Sequence, residues 1–335
     1  MNEPVFVIAE AGVNHNGDLD TALRMVDVAA GCGADAVKFQ SFKASSLATK
    51  RASLVAYQSR SESPGTSQRD MLKVLELSRK DHEVLADRCA DREIMFMSTA
   101  FDSESLQMLL DLGVTVLKIP SGEITNLPYL REVAATGKRI LLSTGMATLE
   151  EVASAIHVLE SEGADRQKMV VLHCTSSYPT DYKDVNMKAL STMRTKLRLP
   201  IGYSDHTLGN EAAIAAVALG AVAIEKHFTL NKSMRGPDHQ ASLSEKELVD
   251  FVESIRNTCL MLGDGIKRPS STELVTQSLV RRSIVAAVPI KKGEQISADM
   301  LLAKRPADGL SPMLWDQIVG STAHRDYAVD DVIQE

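Results

Sequence analysis

The chain has 335 residues, 44% of them hydrophobic, enough for one large core and a small additional domain. Its formal charge of −7 is dispersed rather than gathered in blocks, which argues against a nucleic-acid binder with a basic face. Four widely spaced cysteines with no CxxC pair indicate neither a disulfide framework nor a zinc knuckle.

The opening residues, MNEPVFVIAE, lack a basic leader and pass almost directly into a strand-like run, VFVIAE (5–10). Further β-branched runs follow: AVKFQ (36–40), IMFMST (94–99), VTVLKIP (114–120), RILLST (139–144), MVVLHC (169–174), PIGYSD (200–205) and AVAIEKH (221–227). Between them lie amphipathic stretches such as DLDTALRMVDVAAG, DSESLQMLLDLG and TLEEVASAIHVLESEG, which open on Asp or Thr and close at Gly, as capped helices do. Strand–helix alternation predicts a parallel sheet, and eight units in about 260 residues fit a (β/α)8 barrel. A doubly wound open sheet competes, but EAGVNHNG after the first strand does not supply the GxGxxG phosphate loop it would need. The expected class is α/β: a (β/α)8 TIM barrel over residues 1–266, a linker at 267–281, and a small β-rich domain at 282–335. No apolar run approaches membrane-spanning length, so a cytoplasmic address and no membrane partner are expected.

Two stretches depart from the repeat. Residues 41–79 separate the second strand from the next clear helix, and loops this long in compact domains serve as lids or binding segments. From Arg282 onward, SIVAAVPI, KKGEQIS, LLAKRPADG and YAVDDVIQE read as short strands. They make a unit of roughly fifty residues, too small to be comfortable without docking on something.

Polar residues gather at the strands' C-terminal ends: Glu10, Lys38, Gln40, Thr99, Lys118, Ser143, His173, Ser204, His206, Glu225 and His227. That is the end at which barrels build their sites. Residues i and i+2 share a strand face. Lys38 with Gln40, and Glu225 with His227, are therefore expected to point into the barrel mouth, where unpaired charge is costly. His206 and His227 end consecutive strands and can reach one ion, with Mn²⁺, Fe²⁺, Co²⁺ or Zn²⁺ suiting imidazoles better than Mg²⁺. The alternative is that His206 caps the next helix and His227 bonds a backbone carbonyl. Lys38 and Lys118 read as anion binders beside the hydroxyls of Thr99, Ser121, Ser143 and Ser204, as Schiff-base lysines, or as mere partners of Glu10, Glu123 or Glu225.

In order along the chain, IAEAGVNHNGD, VKFQSFK, STAFD, KIPSGEITNLPYL, LSTGMAT, LHCTSSYPT, GYSDHT, IEKHFTL, GPDH and KRPADGLSP resemble the sialic acid synthase family. Its members are the N-acetylneuraminate synthases and their legionaminate and pseudaminate relatives. The resemblance spans essentially the whole chain, and the tail resembles that family's antifreeze-like (SAF) domain. It implies a transferase that condenses phosphoenolpyruvate with an N-acylated aldose and water, giving a 2-keto acid and phosphate. The aldose implied is N-acetylmannosamine or a close relative. EAGVNHNGD, GEITNLPYL and GYSDHT are at least as close to legionaminate synthases, which would use 2,4-diacetamido-2,4,6-trideoxymannose.

The resemblance also implies roles. A divalent metal, Mn²⁺ first with Mg²⁺ or Co²⁺ possible, falls to His206 and His227. Phosphoenolpyruvate falls to Lys38, Thr99, Lys118, Ser121, Ser143 and Ser204, and the sugar to Gln40, Tyr178, Asp238 and Arg305. Glu10, Glu123 and Glu225 surround the reacting carbons, and Ser176 receives no role. The metal would activate the aldehyde as a Lewis acid. Glu123 first, and Glu10 second, would take the proton of the water that captures C2. Arg305 is expected to complete the sugar site in the partner subunit of a domain-swapped homodimer. Two rivals stand beside this reading. A Schiff-base aldolase has no use for paired histidines, and a non-catalytic sugar-binding protein needs neither Lys38 nor Lys118 nor a metal.

Overall fold

The computed structural model describes residues 4–55, 58 and 65–334. Among the described residues, eight parallel strands close into a barrel in chain order. They are β1 (Phe6–Gly12), β2 (Ala36–Ser41), β3 (Met95–Ala100), β4 (Val116–Ile119), β5 (Arg139–Ser143), β6 (Met169–Cys174), β7 (Ile201–Asp205) and β8 (Ala223–His227). Each overlaps its expected run, and β1 pairs with both β2 and β8, which closes the sheet.

Alternation along the strands sorts the side chains into two cores. Val37, Phe39, Leu117, Ile119 and Ile224 face the surrounding helices, whereas Ile8, Ala36, Met97, Val116, Leu141, Leu172 and Ala223 fill the barrel interior. Two residues further along, the same inward faces carry Glu10, Lys38, Thr99, Lys118, Ser143, Cys174 and Glu225. A buried apolar layer thus lies directly beneath a polar one.

Helices Leu19–Gly31, Ser103–Asp111 and Leu149–Ser161 begin where the sequence signals placed them. Asp18, Asp102 and Thr148 each accept a first-turn backbone N–H, a cap contributing about 1 kcal/mol. The 41–79 segment contains the short helices Ala44–Leu47 and Gln68–Lys73. Phe42, Ala44, Met71, Leu72 and Leu75 pack there with Val13 in a cluster of their own. Residues 56–57 and 59–64 of that segment lie outside the described residues.

The chain divides into a compact unit Met1–Asp264 and a second unit Gly265–Glu335. Residues expected as a linker carry the helix Ser271–Val280. Its start is a reciprocal capping box between Ser270 and Glu273, a local signal that outweighs the polar composition. At about 1.5 Å per residue, it is a far shorter spacer than extended chain. In the second unit, β9 (Ser283–Ala286) pairs antiparallel with β10 (Leu301–Lys304). The other two strand-like runs supply single bridges instead, such as Gln295 to Thr322 and Ile290 to Tyr327. Ile284, Ile290, Ile296, Leu301, Tyr327 and Ile333 form its core. No helix among the described residues is long and apolar enough to cross a membrane.

Candidate active site

The strands' C-terminal ends open into a cavity of ≈ 830 Å³, within the range of about 300–1,000 Å³ typical of small-molecule sites. Its base is the polar layer. Lys38 Nζ lies 2.8 Å from Glu10 Oε2 and 3.6 Å from Glu225 Oε2, and donates to Thr99 Oγ1 at 2.8 Å. Lys118 Nζ donates to both oxygens of Glu225, at 2.9 and 3.2 Å, and Ser204 donates to the same carboxylate at 3.0 Å. Strand register explains these neighbours, since Glu10 pairs with Lys38 and Ser204 with Glu225. Lys118 reaches Glu225 across the barrel, from β4 to β8. The four charged side chains are no more than 5% exposed.

Burial pushes the Glu10 carboxyl up to about 7, more than Lys38 can offset. Burial also opposes the charge on Glu225, but Lys118 and Lys38 together hold that carboxyl well below its ordinary range. The difference follows from counter-ions: two ammoniums face Glu225 closely and one faces Glu10. Burial disfavours the Lys38 ammonium as well, yet Glu10 and Glu225 raise it above its ordinary value. A Schiff-base lysine needs the opposite shift. Burial thus weakens Glu10 as a counter-ion to Lys38, so the layer favours an added anion beside the lysines.

A hydroxyl corner adjoins the lysines. Ser143 Oγ is buried without a hydrogen-bond partner. Ser121 Oγ accepts from Gly145 N at 2.9 Å and sits 3.2 Å from Cys174 Sγ. A Cβ on Gly145 would stand 2.2 Å from Ser176 Oγ and 2.9 Å from Ser121 Oγ, so only glycine keeps this corner open.

On the β7–β8 side, the rings of His206 and His227 lie 5.6 Å apart. His206 Nδ1 is 2.6 Å from the Thr175 carbonyl oxygen. A carbonyl only accepts, so Nδ1 carries the proton and Nε2 the lone pair. His227 Nδ1 is buried without a hydrogen-bond partner, 3.9 Å from Asp238 Oδ2. Burial pushes the His206 ring below its ordinary pKa, and burial with His206 nearby pushes His227 well below. Both rings are therefore neutral at pH 7. Burial raises Asp238 to about 6. The Tyr178 ring lies 4.2 Å from that of His206, tilted by 35°, and stands edge-on 5.6 Å from His227. At the β1 bulge Gly12 has φ +54, and a Cβ there would lie 3.3 Å from His227 Cε1 and 3.4 Å from Glu10 Oε1. Among the described residues no three His, Cys, Asp or Glu side chains gather as a metal cluster. The pair offers two imidazoles and leaves other positions open.

Every residue given a substrate, catalytic or metal role lines this cavity except Arg305, which is exposed in the second unit. Three expectations need correction. His173 points outward, its Nε2 2.7 Å from the Val185 carbonyl and its ring against Tyr203, because Cys174 takes the inward position of β6. Glu123, in the turn after β4, accepts from Asn126 and pairs with neither lysine. The helix after His206 begins beyond Asn210, whose side chain makes no cap, and His206 Nδ1 engages the Thr175 carbonyl instead, so capping is not that histidine's role.

The NeuB family model matches residues 25–267, and a SAF domain model matches residues 281–335. The chain belongs to the NeuB family. It is 48% identical to an N,N'-diacetyllegionaminic acid synthase of Campylobacter jejuni over 98% of both chains. It is also 48% identical to a Legionella pneumophila protein of the same name, over 94% of this chain and 89% of that one. A solved N-acetylneuraminic acid (sialic acid) synthetase from Leptospira borgpetersenii, in complex with citrate, is 36% identical with a TM-score of 0.71. That match covers 82% of this chain and 90% of the other.

One feature of this NeuB-family site escaped the sequence reading. Lys226 is buried on the outer face of β8, 2.7 Å from Asp205 Oδ2, and donates to the carbonyls of Thr207 and Gly209 at 2.6 and 3.0 Å. Asp205 in turn accepts from Thr207 N and Oγ1. The pair pins the turn that carries His206. Its signal was available: two opposite charges at helix-facing positions of adjacent buried strands.

Proposed function

We propose that this chain is a cytoplasmic nonulosonic acid synthase, joining C3 of phosphoenolpyruvate to the aldehyde carbon of an N-acylated aldose. The observation that carries this reading is one cavity holding two buried lysines, partnerless hydroxyl capacity and a pair of neutral imidazoles. Phosphoenolpyruvate brings a carboxylate and a phosphate; Lys38 and Lys118 meet them with charge, and Thr99, Ser121, Ser143 and Ser204 with donors. His206 and His227 would hold a divalent metal, Mn²⁺ first with Mg²⁺ or Co²⁺ as alternatives, supplying Lewis-acid polarisation of the aldehyde. As the C–C bond forms, the aldehyde oxygen takes a proton and C2 becomes electron-poor. Water adds to C2 and gives up one proton; the resulting C2 hydroxyl then passes its remaining proton to the departing phosphate as the C2–O bond to phosphate breaks, leaving the 2-keto acid. Glu10, raised to about 7 by burial, suits the role of proton acceptor near neutral pH. Glu123, first choice from the sequence, is engaged by Asn126. Glu225 keeps Lys118 in place. Gln40, Tyr178 and Asp238 are left for the sugar, and holding both substrates at reacting distance supplies ~7–11 kcal/mol of the barrier.

Both relatives at 48% identity are named for N,N'-diacetyllegionaminic acid, which favours 2,4-diacetamido-2,4,6-trideoxymannose over N-acetylmannosamine. The test is phosphate release from phosphoenolpyruvate with each sugar offered separately, with and without chelator. Release should require both a sugar and a divalent metal. Release with neither sugar, or a borohydride-trapped pyruvate adduct, overturns the synthase reading.

We further place Arg305 in the sugar site of a partner subunit, in a domain-swapped homodimer, on the resemblance of KRPADG. Mixing inactive Arg305→Ala and inactive His206→Ala chains should restore part of the activity, since one site of each mixed dimer carries neither defect. No recovery, with subunit exchange demonstrated, rules out the arrangement.

A further inference from the structure

One wall of the cavity is apolar where a sugar's hydroxyls would want partners. Val13 after β1, Phe101 after β3, and Leu47, Met71, Leu72 and Leu75 from the 41–79 segment line it together. These side chains belong to the small cluster built by that segment, separate from the barrel interior. The β6–β8 side of the mouth is polar by contrast, with Tyr178, His206 and Asp238. The two ends of an aldose thus meet different chemistry. Its aldehyde end belongs near the histidines, and its far end falls to the apolar wall.

Resting on the synthase reading above, we propose that this wall is the specificity element for the far end of the aldose. It selects a 6-deoxy, 4-acylamino sugar over one with free hydroxyls. A C6 methyl and an acyl methyl bury against leucine and methionine with gain. Hydroxyls at the same places lose water against leucine and methionine side chains that offer no strong acceptor, and must compete for the amides of Gln58 and Gln68 beside the wall. Gln68, which lines the same cavity at the start of its helix, offers the acyl amide a polar partner beside the wall.

Leu47 is only half-buried, so changing it disturbs the cluster least. The experiment measures kcat/KM for phosphate release at saturating phosphoenolpyruvate. Wild type, Leu47→Gln, Leu72→Gln and the conservative Leu47→Met are each assayed with the two sugars named above. Wild type should prefer the diacetamido sugar by about tenfold or more, the scale on which an apolar pocket reads one methyl group. Leu47→Gln should erase most of that preference while the KM for phosphoenolpyruvate stays unchanged, and Leu47→Met should keep it. If Leu47→Gln fails to fold, Leu72→Gln carries the same test. Equal use of both sugars by wild type, or an equal fall for both sugars in the Gln variants, overturns the wall's role and leaves the synthase intact. Release with neither sugar in wild type overturns the synthase reading, and this inference with it.

Discussion

Replacing His206 or His227 with alanine is expected to abolish sugar-dependent phosphate release and divalent-metal content together, with the barrel still folded. Each ring stands in the cavity rather than in either apolar core. His206→Ala frees only the Thr175 carbonyl that its Nδ1–H now engages. Such a loss is about 1 kcal/mol, small against a typical stability of about 5–15 kcal/mol. The catalytic loss is of another order. Lewis-acid stabilisation of several kcal/mol corresponds to about a thousandfold or more in rate. Circular dichroism, metal analysis of the purified variants and the phosphate assay separate the two effects. A variant that keeps full turnover in excess chelator would remove the metal from the account.

Lys118→Met should raise the KM for phosphoenolpyruvate far more than that for the sugar, and should also destabilise the fold. Losing one ammonium of a desolvated ion contact costs about 2–5 kcal/mol, or roughly 30-fold or more in affinity. Glu225 meanwhile keeps Lys38, at 3.6 Å, as its charged partner, and the Ser204 hydroxyl at 3.0 Å. Removing one partner of a buried ion pair costs up to about 3–5 kcal/mol. The pH dependence has a definite sign. Held below its ordinary 4.5 by Lys118 and Lys38 despite burial, Glu225 adds stability above that pH and loses it on acidification. Lys118→Met shrinks this contribution. Adding Glu225→Gln removes the stranded charge, so the double variant should regain stability without regaining phosphoenolpyruvate binding. Urea midpoints for the single and double variants, beside KM values for both substrates, test both halves. An unchanged KM for phosphoenolpyruvate in Lys118→Met, or a borohydride-stable pyruvyl adduct on Lys118, defeats the assignment.

Much of the cavity was legible because strand parity is local. Ala36 inside means Lys38 and Gln40 inside, and Ala223 inside means Glu225 and His227 inside. Applied to β6 the same rule, starting from Leu172, puts Cys174 in the cavity and turns His173 away. The helix at Ser271–Val280 was missed for a related reason: the Ser270–Glu273 cap is a four-residue signal inside a stretch read by its composition.

From residues alone came the eight strand–helix units, their caps, the inward placement of the charged residues and the family resemblance. All depend on neighbours a few positions apart or on motifs read in line. Closure of the barrel decided which charges meet. Lys118 and Glu225 are 107 positions apart, and no local pattern says that they share a bond across the interior. The same closure brings the Gly12 bulge against His227 and sets Lys226 beside Asp205 in register. It also brings Leu47, Met71, Leu72 and Leu75 of the 41–79 segment into the cavity wall. Side-chain alternation fixes where a group points, but a group's partner, its desolvation and its protonation depend on strands that the chain brings together only when it folds.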